Sequence, residues 1–526
     1  MASRATCCES QPAVVAYIGR VILVSKEGML FMVRTCLAAL FCVLGAVAAA
    51  APPRPNVLFI AVDDLKPVLG CYGDPLAKTP NLDRLAARGM LFEKAYVNQA
   101  VCAPSRNTLM LGLRPQTLGI YDLPTHFRDV YPDAVTMSQT FMANGYTAEA
   151  CGKIFHSGKG NHDDAKSWSV EHWEAKGGPY VNEERVGKAK GAVTEAADVP
   201  DTAYGDGKLA EEAVRRIAEH ARHPDKPFLL MLGFHKPHLP FCAPKKYWDQ
   251  FQPGDFKLPE RRTPPEGAPE YAPTQSKEIL QYRDVAEKPP FSEEFAIHLM
   301  HGYYAAVSYT DAQIGKVLDA LDASGLSENT YIVLWGDHGW HLGDHGMWCK
   351  HTNYEHAVHI PLLISGPGIT SGQRTTSLVE TVDLYPTLME LTKQSLPTSV
   401  GGAALEGTSL VPVLHEPTRS VNDHVLSVYP RGKRLGRAVR TDRHRLVEWK
   451  AIGGPPEAAV VELYDYDSDP DETKNLAATQ PEIVARLRAI LAGYPEGKPQ
   501  VVVAGAAATG AGGRKKTKTT AQGDEE

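Results

Sequence analysis

Cys102-Ala-Pro-Ser105-Arg106 puts a thiol, a hydroxyl and a guanidinium into one short stretch, ahead of Gly112-Leu113-Arg114-Pro115. The pattern predicts an extended segment leading into a short helix over 107–111. A cysteine at a helix start meets oriented backbone N–H groups and the positive end of the dipole. Pro104 suits a first helical turn, where its missing N–H has no partner to lose. Arg106 sets a fixed positive charge one turn away. These residue types suit a nucleophile acting on an anionic substrate. A buried structural cysteine would use the same residue, and the pentapeptide alone does not separate the two.

Ligands of open α/β sheets bind at the carboxyl ends of the strands. Four apolar runs here end in polar residues of a suitable kind. Asn56–Val62 runs into Asp63-Asp64. Tyr146–Ala150 runs into Gly152-Lys153 and then His156. Phe228–Leu232 leads to His235-Lys236-Pro237-His238, and Tyr331–Trp335 to Gly336-Asp337-His338. Parallel strands would gather all of these at one edge. Three carboxylates and an imidazole repel one another unless a cation sits among them. Oxygen-rich ligation favours a hard ion, Ca²⁺ or Mg²⁺, over zinc. Asp63-Asp64 alone would serve equally as a turn; recurrence of the pattern at Asp337 favours a metal. His156 and His238 are the proton-transfer candidates, and His235 is read as structural. His338, His341, His345 and His351 crowd one loop without a zinc spacing, so His341 and His345 are read as loop or pocket residues. Asp465 to Glu472 imitates a calcium loop but has Pro470 in place of the central glycine and lacks a closing glutamate; it is read as a structural turn.

The elements that position these groups follow from patterning. A chain of 526 residues allows two or three domains. Its 43% hydrophobic and 22% charged content is that of a globular protein. A formal charge of −7 argues against a general nucleic-acid binder. From 54 to 393, short apolar runs alternate with amphipathic segments, which predicts an α/β domain with a mostly parallel sheet. Thr79-Pro80 opens a helix that ends at Gly89. Lys208–Arg222 is amphipathic, and Glu293–Ala323 is a long helix with a break expected near Gly302. Trp168–Gly205 and Pro253–Pro290 read as insertion loops. Residues 394–421 form a linker and connecting segment. Residues 422–503 predict a smaller α+β subdomain with strands at Val425–Val428, Gly436–Thr441 and Leu446–Trp449 and a helix at Pro481–Ala492. Residues 504–526 have the composition of a disordered tail.

Residues 1–51 carry an export signal. Met32-Val33-Arg34 precedes an apolar run, Cys36–Val47, and small residues at Ala48–Ala51. That run falls short of the roughly 20 residues a stable membrane span needs. The stretch before Met29 or Met32 reads as a mis-started leader. The protein is expected to be exported, to the periplasm or the medium. Of nine cysteines, Cys71, Cys102, Cys151, Cys242 and Cys349 lie beyond the signal, too few and too scattered for a disulfide framework.

Cys102-x-Pro104-Ser105-Arg106, with Leu109, Gly112 and Arg114, resembles the signature of the formylglycine sulfatases. Continued to Tyr121-Asp122-Leu123 it is most similar to the iduronate-2-sulfatase branch, and the likeness runs from about Pro55 to Leu476. It implies an alkaline-phosphatase-like sheet. It implies that Cys102 is oxidised to formylglycine by a formylglycine-generating or sulfatase-maturing enzyme. The hydrate would be the nucleophile and pass through a sulfo-enzyme intermediate. The resemblance further implies Ca²⁺ on Asp63, Asp64, residue 102, Asp337 and His338. Arg106, Lys153 and Lys350 would face the sulfate, the last within a segment Asp344–Lys350 that matches the family. Gly152-Lys153-Ile154-Phe155-His156 has the lysine-histidine spacing of the iduronate branch. By resemblance His238 protonates the leaving alcohol and His156 takes the proton that releases sulfate. Trp340, Tyr429, Arg431 and Lys433 are candidates for the substrate rim, where an arginine could fork onto a uronate carboxylate; an ordinary surface loop would look the same. The implied activity is hydrolysis of a sulfate ester on a sulfated sugar or polysaccharide. Two alternatives stay open: a phosphoester or phosphonate hydrolase of the same superfamily, and a non-catalytic exported glycan-binding protein.

Overall fold

The computed structural model describes residues 54–182, 190–285 and 288–502. The signal, the leader and the tail lie outside them. One compact unit begins at Arg54.

Asn56–Val62 forms strand β1, all seven residues buried. Val57, Phe59 and Ala61 pack into the core on one sheet face, and Leu58, Ile60 and Val62 into that on the other. A strand covered on both faces needs a continuous apolar run, which is what the sequence supplies. With β2 (Gly89–Tyr96), β3 (Thr147–Gly152), β5 (Phe228–Phe234), β7 (Thr330–Gly336), β8 (His359–Ser365) and β9 (Gln373–Glu380), it builds a seven-stranded sheet ordered β3-β5-β1-β7-β8-β2-β9. Only β8 runs antiparallel to its neighbours. The fold is therefore α/β with a mostly parallel sheet, flanked by helices. The carboxyl ends of β1, β2, β3, β5 and β7 all lie at one edge.

Glu293–Ala323 is one continuous helix of 31 residues, without the expected break. Gly302 is a packing residue: a Cβ there would lie 3.0 Å from Phe241 and 3.1 Å from Trp248. Thr79 does not cap the helix Pro80–Ala87. Its hydroxyl accepts from the Gly70 N–H at 2.9 Å, and the helix start is capped from a distance by Asp311, which accepts from the Leu82 N–H at 2.8 Å. β4 (Thr194–Ala197), in the first insertion, pairs in parallel with β6 (Phe241–Pro244), which follows β5.

The C-terminal part is a four-stranded antiparallel sheet, β10 (His424–Arg431), β11 (Arg434–Thr441), β12 (His444–Ala451) and β13 (Val460–Asp465), one strand more than expected. Pro481–Ala492 is helical. This sheet packs onto the larger one, with Asn98 Nδ2 donating to Leu426 O at 2.9 Å and the Val428 N–H to Asn98 O at 2.8 Å. In the turn after β13, Glu472 accepts from the Glu355 N–H at 2.9 Å and from Tyr466 Oη at 2.6 Å.

Candidate active site

β2 brings the chain to the edge where Cys102 starts a helix. The helix spans Cys102–Leu111, one turn more than expected, and all ten residues are buried. Burial on every side removes the amphipathic stripe that would have revealed its first turn. Gly112 closes it at φ 63°, where a Cβ would lie 2.3 Å from Leu405 Cδ2; only glycine fits this end. Ser105 Oγ donates to Asp337 O at 2.5 Å and ties the helix to the end of β7.

Around the Cys102 sulfur, His338 Nε2 lies at 3.3 Å, Asp63 Oδ1 at 3.5 Å and Lys153 Nζ at 3.6 Å. The sulfur stands where an oxidised residue would carry oxygen. Burial and the neighbouring Asp63 carboxylate push the unmodified thiol well above its ordinary pKa, so as cysteine it is a poor nucleophile. Arg106 is fully buried. Its Nε and Nη2 lie 3.0 and 2.8 Å from Asp337 Oδ2, Nη2 lies 3.5 Å from Asp63 Oδ1, and Nη1 donates to Ile154 O at 3.2 Å and to Lys153 O. Arg106 thus buttresses two carboxylates from behind. Gly152, at φ 73°, and Gly233 let β3 and β5 approach so closely that a Cβ on Gly152 would meet Gly233 O at 2.3 Å. This crossing sets Lys153, whose Nζ pairs with Asp63 Oδ2. Burial opposes ionisation of Asp63, but Lys153, His238 and Arg106 hold it well below the usual carboxylate range.

Asp64 has φ 60°, and its N–H donates to Asp337 Oδ1 at 3.0 Å. Its Oδ1 accepts no well-formed hydrogen bond, although Lys350 Nζ lies 3.1 Å away and His338 Nδ1 3.3 Å. Donor atoms of Asp63, Cys102, Asp337 and His338 all lie within 4.8 Å of one another. Charge favours a metal at this cluster. Asp63, Asp64, Asp337 and Glu278 supply four buried or nearly buried carboxylates against three cations, Arg106, Lys153 and Lys350. Histidines aside, such a site repels anions; one divalent cation reverses its sign. Oxygen donors with a single imidazole fit a hard ion.

Above the cluster opens a cavity of about 660 Å³, lined by Cys102, Lys153, His156, His235, His238, Glu278, Lys350 and His351 among others. Neither ring nitrogen of His156 has a protein partner. Burial and Lys153 push its pKa down to about 3, leaving a neutral imidazole that can accept a proton. His238 is bound at both nitrogens, Nδ1 to Leu239 O at 2.6 Å and Nε2 to Glu278 Oε1 at 3.2 Å.

Several expectations are corrected. Trp340 is fully buried and not at the rim; its ring lies under Lys350 Nζ at 4.9 Å, a cation–π contact that holds the lysine. Arg431 is not among the residues that line the cavity. It donates to Tyr271 O at 2.8 Å, Ala272 O at 3.3 Å and His351 O, and it stacks on Tyr429 at 4.3 Å. The His235 ring is 55% exposed and faces the cavity, so only its backbone is structural: its N–H donates to Asp206 Oδ1 at 2.9 Å. His341 is locked between Asp344 and Thr352. Glu278, inside the second insertion, went unnoticed in the sequence; no motif marks it. None of the five cysteines among the described residues forms a disulfide.

Lys153 and Lys350 beside Cys102 at a helix start, with the sign of the cluster reversed by a divalent ion, suit an ester of a strong oxyacid. Comparison with known proteins agrees. The family model described as Sulfatase matches residues 55–394, and one described as N-sulphoglucosamine sulphohydrolase, C-terminal, matches 343–493. The chain belongs to the sulfatase family and is a sulfuric ester hydrolase. Iduronate 2-sulfatase of Mus musculus is 33% identical over 501 residues, covering 80% of this chain and 90% of that protein. A protein solved in complex with its substrate D-glucosamine-2-N,6-O-disulfate superposes with a TM-score of 0.67 at 22% identity, over 84% of this chain and 97% of that one. Phosphonate monoester hydrolase from Silicibacter pomeroyi shares the fold at a TM-score of 0.67 and 20% identity, over 84% of this chain and 95% of that one.

Proposed function

We propose that this protein removes sulfate from a sulfated sugar or polysaccharide, in the manner of an iduronate 2-sulfatase. The observation that carries the proposal is Cys102 at a helix start, 3.3–3.6 Å from His338, Asp63 and Lys153. Formylglycine at residue 102 would supply an oxygen nucleophile, and Ca²⁺ on Asp63, Asp64, Asp337 and His338 would supply positive charge. Lys153 and Lys350, which line the cavity, would take sulfate oxygens, and transfer of a sulfuryl group is mainly positioning and charge stabilisation. By the family resemblance, His238 would be the proton source for the leaving oxygen. His156, a neutral imidazole with no protein hydrogen-bond partner, would accept a proton as sulfate departs. The similarity to iduronate 2-sulfatase supports a sulfated uronate as substrate. The apolar run Cys36–Val47 behind Arg34 supports export, with modification of Cys102 by a formylglycine-generating or sulfatase-maturing enzyme. No helix among the described residues is long and apolar enough to cross a membrane.

The test is mass spectrometry of the active protein together with a screen of sulfated saccharides read by free sulfate. The Cys102 peptide is expected as the aldehyde, and Cys102→Ala is expected to release no sulfate. Full turnover by that variant refutes the assignment. The likeness to a phosphonate monoester hydrolase favours one second reading, a phosphoester or phosphonate hydrolase; faster cleavage of aryl phosphate or phosphonate than of aryl sulfate would establish it.

A further inference from the structure

Three carboxylates line the cavity itself, Glu174, Asp206 and Glu278, and they differ in what they do to a bound anion. Glu174 is exposed and accepts from Ser157 Oγ at 3.3 Å. Asp206 is spent on the backbone N–H groups of His235 and Lys236, at 2.9 and 2.8 Å, and lies 3.9 Å from His235 Nδ1. Glu278 pairs closely with two side chains of the cavity wall. One oxygen lies 2.9 Å from Lys350 Nζ and the other 3.2 Å from His238 Nε2. The donor nitrogen of His238 lies within 4.8 Å of the Cys102 sulfur. The insertion that carries Glu278 is fastened to the sheet edge, where the Trp348 N–H donates to Ser276 Oγ at 2.9 Å. Burial opposes ionisation of Glu278, but Lys350 and His238 hold it well below the usual carboxylate range. A fixed negative charge thus stands in the wall beside the place where an ester would meet residue 102, and it takes up part of the positive charge that Lys350 offers.

We propose that Glu278 is a specificity-determining residue that makes the cavity select singly charged esters over doubly charged ones, a sulfate over a phosphate monoester, resting on the reading above that the ester binds in this cavity beside residue 102. Sulfate and phosphate groups have nearly the same size and tetrahedral shape, so the walls separate them poorly by fit. They differ in charge. A sulfate ester carries one negative charge, whereas a phosphate monoester carries two above about pH 6. Repulsion from a fixed carboxylate scales with the charge of the ester, so Glu278 opposes the dianion twice as strongly as the monoanion. Over about 8 Å, at an effective dielectric constant of about 20, the extra charge is worth a factor of about 30. A phosphonate monoester carries a single charge and passes the same filter as a sulfate.

The test uses three esters with one leaving group, 4-nitrophenyl sulfate, 4-nitrophenyl phenylphosphonate and 4-nitrophenyl phosphate, at about pH 8, where the phosphate is a dianion. They are turned over by the wild type and by Glu278→Gln, which keeps the size and removes the charge. In the variant the ratio of kcat/KM for phosphate to that for sulfate is expected to rise about 10- to 50-fold, and the ratio for phosphonate to sulfate to change less than about threefold. Glu278→Asp keeps the charge and is expected to keep the wild-type ratios, whatever its absolute rates. Glu278→Ala carries the same test should the Gln variant fail to fold. Calorimetric binding of phenyl sulfate and phenyl phosphate to Cys102→Ala, with and without Glu278→Gln, reads the same selectivity without turnover, as a shift in the ratio of the two Kd values. Unchanged ratios overturn the proposal, since a defect that only misplaces Lys350 weakens all three esters alike. An equal rise for phosphate and phosphonate also overturns it, because the variant would then distinguish phosphorus from sulfur and not charge. If the wild type cleaves none of the esters and Cys102→Ala binds neither ligand, the hydrolase reading falls and this assignment with it. Wild-type turnover with fixed ratios overturns only the role of Glu278.

Discussion

Arg106→Lys separates the geometry of the carboxylate cluster from its charge. The guanidinium serves Asp337 through two nitrogens, Asp63 through one, and two backbone carbonyls. Lysine keeps the positive charge, so repulsion of an incoming cation is unchanged, but a single ammonium cannot serve all four acceptors. Hydrogen bonds to charged groups are worth about 1.5–3 kcal/mol each, and disrupting a buried pair costs about 3–5 kcal/mol. A loss near 3 kcal/mol is expected. At about 2.1 cal/mol/K per residue over the roughly 440 described residues, that is a fall in Tm of about 3 °C. A second effect concerns the metal. Asp63 and Asp337 lose the group that orients them, which typically lowers metal affinity about 10- to 100-fold. Calcium would then stabilise the variant by about 1.4–2.7 kcal/mol less than the wild type. Calorimetric titration with Ca²⁺ and thermal unfolding with and without the ion measure both quantities. A variant with a lowered Tm but unchanged calcium affinity would show that Arg106 only fills space behind the cluster, and the orientation argument would be refuted.

Two further outcomes are expected. His345 is buried, and burial depresses its pKa to about 4. Its folded pKa lies below the unfolded value, so the stability it contributes is complete above about pH 6.5 and is lost as pH falls from there towards 4. His345→Asn, which tolerates the φ of 54°, should lose about 2–3 kcal/mol less than wild type between pH 7 and 4.5 in denaturant melts; identical pH dependence would contradict this. Arg431→Lys should lower the Tm without changing the preference for uronate sulfates over neutral sugar sulfates, and a selective rise in KM for uronates would return Arg431 to the rim.

The buried parallel strands were legible because continuous apolar runs ending in acids leave little choice of role. Asn56–Val62 and Pro481–Ala492 have the same limits in sequence and structure. β2 was harder to see, since Glu93-Lys94 interrupts its apolar run where the register shifts. The convergence of Asp63, Asp64, Asp337 and His338 could be expected from topology, because parallel strands share a carboxyl edge; Cys102 joined them only through the family resemblance. Trp340 and Arg431 were misjudged for a common reason: an aromatic ring or a guanidinium near a site looks the same whether it faces substrate or braces a neighbour. Glu278 could not be found, since its place depends on how a loop of nearly forty residues folds back onto the sheet.

That loop has an evolutionary consequence. Enzymes of one fold usually change substrate by exchanging the segments around the pocket while the sheet edge stays constant. Here the segment that would be exchanged also anchors a carboxylate against His238 and Lys350. A graft from a relative that lacked this acid would also remove a partner of His238 and Lys350, so new preferences are more readily acquired between Glu174 and Tyr180, which line the cavity as well.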